Sequence, residues 1–207
     1  MIYLLDEHLT NFSHSSVMFQ IIKMNTTVAI KHVLITKDAT IGSVSRTINS
    51  LIEQVLPGDV VCCPWVMPGN DSVDQSFIDL VEMGKVVVSL GDSNQCADEL
   101  TPTRVPGVII VGALNKSGIP IKRSNHTETP VKWVSGTNYR VGTRNESGSS
   151  VSAAIYASFL AEAMKLGNTS LVNGFIEAFN QKVRSENDKY NIIKEVMYEP
   201  DNKEVFP

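Results

Sequence analysis

The chain alternates short runs of branched and aromatic residues with segments whose apolar positions recur at helical spacing. Ile2–Leu5 and Val28–Ile35 have strand character, and between them Val17, Met18, Ile21 and Ile22 fall on one helical stripe. Val44, Ile48, Leu51, Ile52 and Val55 predict a clearer helix, ended by Pro57-Gly58. A strand at Asp59–Cys63, a helix around Val73, Phe77, Ile78 and Val81, and a strand at Lys85–Leu90 follow. Residues 91–106 are polar and loop-like, before a strand at Gly107–Gly112 and short extended pieces at Ile119–Ile121 and Val131–Val134. Residues 149–164 are apolar or small nearly all the way round, the mark of a helix inside a core, and Gly167 stands where a C′ glycine would end it. Leu171, Val172, Phe175, Ile176, Phe179 and Val183 then line one face of an amphipathic helix. Continuous apolar strands separated by helices predict an α/β fold: a doubly wound, mostly parallel sheet with helices on both faces, in a single domain over 1–207.

Composition narrows the function classes. The 207 residues are 43% hydrophobic, enough for a real core, and the net charge of −4 without basic clusters gives no electrostatic reason to expect nucleic acid or a membrane surface as partner. No apolar run approaches the ~20 residues of a membrane helix. Met1–His8 lacks the basic start of a signal peptide. Cys62 and Cys63 lie together in an apolar run and Cys96 in a loop, so three reduced thiols are expected, suggesting an intracellular setting without fixing the compartment. Asn25, Asn125 and Asn145 begin glycosylation-type triplets that read as compositional noise. No Cys/His spacing suggests zinc, paired acids such as Asp6 and Glu7 are commonly solvated, and no Gly-x-Gly-x-x-Gly follows the first strand, so no metal or cofactor is implied.

The strongest chemical signal is Ser147-Gly148-Ser149-Ser150, leading straight into the buried helix. A hydroxyl there sits beside unpaired backbone N–H groups, where developing negative charge is stabilised. Serine is also a common N-cap, so the block alone does not require catalysis. Four further blocks accompany it in order: Ile2-Tyr3-Leu4-Leu5-Asp6, Ser13-His14-Ser15-Ser16-Val17, Val86-Val87-Val88-Ser89-Leu90-Gly91-Asp92, and Val108-Ile109-Ile110-Val111-Gly112-Ala113. Together they resemble the subtilisin-like serine proteases (peptidase S8 type) over about 1–165, with a C-terminal helix and tail at 168–207.

The resemblance implies a serine endopeptidase acting on peptide or protein substrates, with Ser150 as nucleophile, His14 as general base and Asp6 as orienting carboxylate. A serine hydroxyl needs a neighbouring base, a neutral imidazole can serve near pH 7, and a carboxylate fixes its tautomer. His8 lies too close to Asp6 to approach it from a separate element, and His32 falls within a strand. Where the family has an oxyanion asparagine this chain has Asp92. An ionised aspartate only accepts hydrogen bonds. Either Asp92 donates as a neutral acid, or Asn94 supplies the donor, or the site is impaired. Where the family has Ser-Leu-Gly-Gly beside the substrate strand, this chain has Pro64-Trp65-Val66-Met67, implying narrow specificity or a closed cleft.

Two other functions fit parts of the pattern. These departures also suit a subtilase-like pseudoenzyme serving as a structural or interaction protein. Gly91-Asp92-Ser93 resembles the block of GDSL esterases, with Ser93 as nucleophile, but it falls mid-chain and the only later histidine is His126. The family's catalytic domains are usually longer, so the loops that border the cleft and bind calcium are expected to be short, and Asp6 lies too near Met1 for a folded propeptide to precede it within this chain. Tyr190–Pro207 could serve a larger assembly.

Overall fold

The computed structural model describes residues 1–7, 13–35 and 40–185. Strand β1 (Ile2–Glu7) leads through helix α1 (His14–Asn25) to β2 (Ile30–Ile35), and helix α2 (Ile41–Ile52) leads on to β3 (Val60–Cys63). After a two-residue strand β4 (Met67–Pro68) come α3 (Asp71–Met83), β5 (Lys85–Ser89) and a second two-residue strand, β6 (Leu100–Thr101). The chain continues through β7 (Ile109–Leu114), β8 (Lys132–Ser135), a short hairpin of β9 (Tyr139–Val141) and β10 (Arg144–Glu146), α4 (Ser149–Lys165) and α5 (Leu171–Ser185).

Six strands form one sheet in the order β2-β1-β3-β5-β7-β8, every neighbouring pair parallel. The expected doubly wound α/β sheet is present. Ile119–Ile121 makes only an isolated bridge at Pro120, while the unanticipated β9–β10 hairpin and the β4–β6 pair add local antiparallel ladders.

Side-chain alternation divides the strands between two cores. Ile2, Leu4, Val60, Cys62, Val87 and Val111 face α1, α4 and α5. Tyr3, Leu5, Val61, Cys63, Val86 and Val88 face α2 and α3. The distribution follows from the strand order. The chain leaves β1 for β2 on one side, then passes to β3 on the other, and right-handed crossovers in opposite directions put α1 and α2 on opposite faces. The crossovers part at β1 and β3, opening a crevice beyond their carboxyl ends. Leu4 pairs with Cys62 and Cys63 with Val88, so the same register brings Asp6, Pro64 and Ser89 to one level at that crevice.

Helix α4 is buried from Ser149 through Ala163 apart from Ser150, as the all-round apolar pattern predicted. Its few polar groups are satisfied internally: Ser152 donates to Val134 O at 2.9 Å and Ser158 to Ala154 O at 2.8 Å. Near its far end Glu162, 3% exposed, takes three hydrogen bonds on Oε1. They come from Thr26 Oγ1 at 2.7 Å, Thr27 N at 2.5 Å and Thr27 Oγ1 at 2.9 Å, so α4 holds the turn between α1 and β2.

Burial pushes the Glu162 carboxyl upward, but the Thr26 and Thr27 bonds and the Lys165 charge outweigh it and hold the group below its ordinary 4.5. A depressed folded value stabilises above the unfolded value and is lost as pH falls through the folded one. Glu162→Gln is therefore expected to lower stability by about 1–3 kcal/mol at neutral pH. Urea midpoints should show that gap narrowing well below pH 4.5; a constant gap would remove the charge from the account.

Candidate active site

Asp6 lies at the end of β1, 3% exposed, because β1 is covered on both faces. Its Oδ1 accepts from the Glu7 amide at 2.8 Å, and its Oδ2 meets His14 Nδ1 at 2.9 Å. His14 is the first residue of α1, whose start is fixed by Ser13 accepting from the Ser16 amide at 3.2 Å. The buried stripe Val17, Met18, Ile21 and Ile22 docks α1 on the sheet and turns the imidazole back over β1. With Nδ1 engaged by Asp6, Nε2 remains for proton transfer. Burial lowers the imidazole's proton affinity; the hydrogen bond to Asp6 and the charges of Asp6, Glu7 and Glu146 outweigh that and raise it.

Ser150 stands in the first turn of α4. The N-cap is Gly148, with φ of +144° and no capping side chain, so serine does not cap this helix. A Cβ on Gly148 would lie 2.7 Å from Asp92 Oδ2, and that backbone conformation is itself strained for other residues. Ser149 turns inward instead. Its hydroxyl lies 2.7 Å from that of Ser89 and accepts from the Gly91 amide at 3.0 Å, while its own amide donates to Asp92 Oδ2 at 2.8 Å. These bonds lock the start of α4 to the end of β5. The second Asp92 oxygen, Oδ1, is buried with no hydrogen-bond partner.

Asp6, His14, Asp92 and Ser150 line one cleft of about 600 Å³, with Pro64, Trp65, Val66 and Met67 along one wall and Ile35 and Val44 beyond. Ser150 and His14 share it without a hydrogen bond between hydroxyl and ring; such contacts often tighten only with substrate in place. Asn94 is outside the lining, exposed at φ +58° with its backbone N–H donating to Arg123 O, and Ser93 donates to Gln95 and Asn125 rather than to an imidazole. Trp65 donates from Nε1 to Leu5 O at 2.8 Å and sets its ring edge-on to Phe77, 6.0 Å between centroids. The indole is thereby pinned beside Asp6.

His32 is on β2, its Nε2 3.2 Å from Ser15 Oγ, and His8 and Tyr190–Pro207 lie outside the described residues. Cys62 and Cys63 are fully buried, and burial pushes both thiols upward. No group of three or more His, Cys, Asp or Glu suited to a metal ion occurs among the described residues, and no helix among them is long and apolar enough to cross a membrane. Three contributors were not legible: Ser149, which the capping reading obscured; Glu7, adjacent to Asp6; and Glu146, which reaches His14's surroundings from a hairpin with no sequence signal.

No family model and no curated protein sequence matches the chain. Solved structures do. A cold-adapted subtilisin-like serine proteinase aligns at TM-score 0.70 and 15% identity, over 87% of this chain and 80% of that one. A lanthipeptide protease aligns at TM-score 0.66 and 11% identity, over 84% of this chain and 78% of that one. The prenylagaramide maturation protease PagA gives 0.63 and 15%, over 93% of this chain and 87% of that one. With the strand order and crevice described above, these alignments establish that the chain has the subtilisin-like fold.

Proposed function

We propose that this chain is a serine endopeptidase working through Asp6, His14 and Ser150. The observation that carries the reading is the buried Asp6 carboxylate on His14 Nδ1 at 2.9 Å, in the same cleft as a serine in the first turn of a helix. Ser150 Oγ attacks the scissile carbonyl carbon while His14 Nε2 takes its proton. The C–N bond then breaks as His14 returns that proton to the leaving amine. Water attacks the acyl-enzyme, again giving its proton to His14, and Ser150 leaves as the hydroxyl. Asp6 keeps the proton on Nδ1 and stabilises the imidazolium.

Charge on the carbonyl oxygen needs donors, and the first-turn amide of Ser150 has no carbonyl within the helix. Asp92, beside that turn, is the second group at the oxyanion position. Its Oδ2 is held by the Ser149 amide. Trp65 and Val66 form the wall for a bound peptide; Pro64 offers it no N–H, which narrows the sequences that fit. The occurrence of a prenylagaramide maturation protease and a lanthipeptide protease among the structural neighbours supports a peptide substrate.

Three outcomes test this reading. A fluorophosphonate probe should label the wild type at neutral pH and leave Ser150→Ala unlabelled; equal labelling of both, or none, sinks the enzyme reading in favour of an interaction protein. Asp92→Asn, which places an amide donor at the same point, should label within about threefold of wild type, whereas Asp92→Ala should lose about 100–1,000-fold. A clear loss in Asp92→Asn would exclude the acid as donor, and a gain above tenfold would mean that a charged carboxylate holds the site back. The labelling rate should climb with pH around a midpoint above 6.5, because His14 must be neutral to act and its proton is held more tightly than usual. Glu7→Gln and Glu146→Gln should each bring that midpoint down.

A further inference from the structure

The segment from Leu90 to Gln95 carries Asp92, has no regular secondary structure, and is exposed at Ser93, Asn94 and Gln95. Such a segment cannot hold an acid against a reacting oxygen unless something holds the segment. Ser149 fixes one side of it, through the Gly91 amide and Asp92 Oδ2. The other side rests on Asn125, which follows β7 by eleven residues and is itself 4% exposed.

That amide bonds to both ends of the segment. Asn125 Oδ1 accepts from the Ser93 amide at 3.0 Å, the Gln95 amide at 2.9 Å and the Ser93 hydroxyl at 3.2 Å. Asn125 Nδ2 donates to Leu90 O at 3.0 Å, and the Asn125 backbone amide donates to Gly91 O at 3.0 Å. Residues before and after Asp92 are thus gripped by one buried side chain. A Cβ on Gly91 would lie 2.5 Å from Asn125 Nδ2, so the segment and the amide are already in close contact. Burial also means that Asn125, although it begins an Asn-x-Thr triplet, is closed to glycosylation in the folded chain.

We infer that Asn125 is a positioning residue for the reaction, setting the place of the Asp92 side chain beside the start of α4 without touching substrate. The inference rests on the reading of Asp92 as a group at the developing oxyanion. Aspartate is the informative replacement, because it keeps the shape and the acceptor for the Ser93 and Gln95 amides but loses the donor to Leu90 O. With Leu90 O facing an acceptor, the Leu90–Gly91 end of the segment shifts and Asp92 moves with it.

The test is a double-mutant cycle on the rate of fluorophosphonate labelling. Asn125→Asp alone is expected to slow labelling by at least tenfold, with the protein folded by circular dichroism. In an Asp92→Ala background the same change should cost less than twofold, since no carboxyl is left to place. A role confined to stability would give the same fold-loss in both backgrounds, or none in either, and each of those results overturns the inference while leaving the protease reading intact. If Asn125→Asp does not fold, Asn125→Ser, which adds no charge and leaves room for a water, carries the same cycle with the same criterion. Absence of Ser150-dependent labelling in the wild type overturns the inference together with the reading beneath it.

Discussion

The structure turns on a few hydrogen bonds between the end of β5 and the start of α4. A helix buried on every side cannot adjust its position by sliding through solvent, so whatever holds its first turn sets the whole element. Ser149 does this with both its polar groups, the hydroxyl at Ser89 and Gly91 and the amide at Asp92. Neighbouring Ser150 is consequently delivered to the crevice at a fixed height above the sheet. The glycine before them is required by the same closeness: a methyl group at 148 would collide with Asp92.

On the opposite side of the crevice the determining influence is electrostatic. One imidazole faces three carboxylates from two separate elements: Asp6 and Glu7 at the end of β1, and Glu146 at the end of β10. Only Asp6 bonds to the ring; the other two act through space. Their sum exceeds the burial penalty, which acts in the contrary direction. The arrangement favours a cationic ring, the state that His14 passes through in the proposed proton transfer.

Much of this was legible in the residues themselves. Apolar runs such as Val60–Cys63 and Val86–Ser89 mark strands covered on both faces, and the all-round small and apolar 149–164 segment announced a core helix. Asp6 and His14 were legible because the ends of a strand and a helix are where such groups can meet. The β9–β10 hairpin was not, since Arg144-Asn145-Glu146 is polar throughout and shows no alternation. Nor was the short pairing of Met67–Pro68 with Leu100–Thr101, which contains a proline and joins segments far apart in the chain. Asn125 passed for noise because hydrogen bonding to a loop thirty residues away leaves no periodic trace. The roles of Ser149 and Ser150 within one Gly-Ser-Ser block depend on which hydroxyl turns inward, and only the three-dimensional course of the chain decides that.

The two adjacent cysteines of β3 have a consequence beyond packing. Because consecutive side chains on a strand point oppositely, Cys62 belongs to the layer under α1, α4 and α5, and Cys63 to the layer under α2 and α3. A single peptide link separates two probes of two different interiors. In the native fold both are closed to solvent and kept protonated, leaving the half-buried Cys96 as the background reactivity of the chain. Alkylation at Cys62 or Cys63 thus reports which face of the sheet opens first, and simultaneous alkylation reports that the two faces come apart as one cooperative unit.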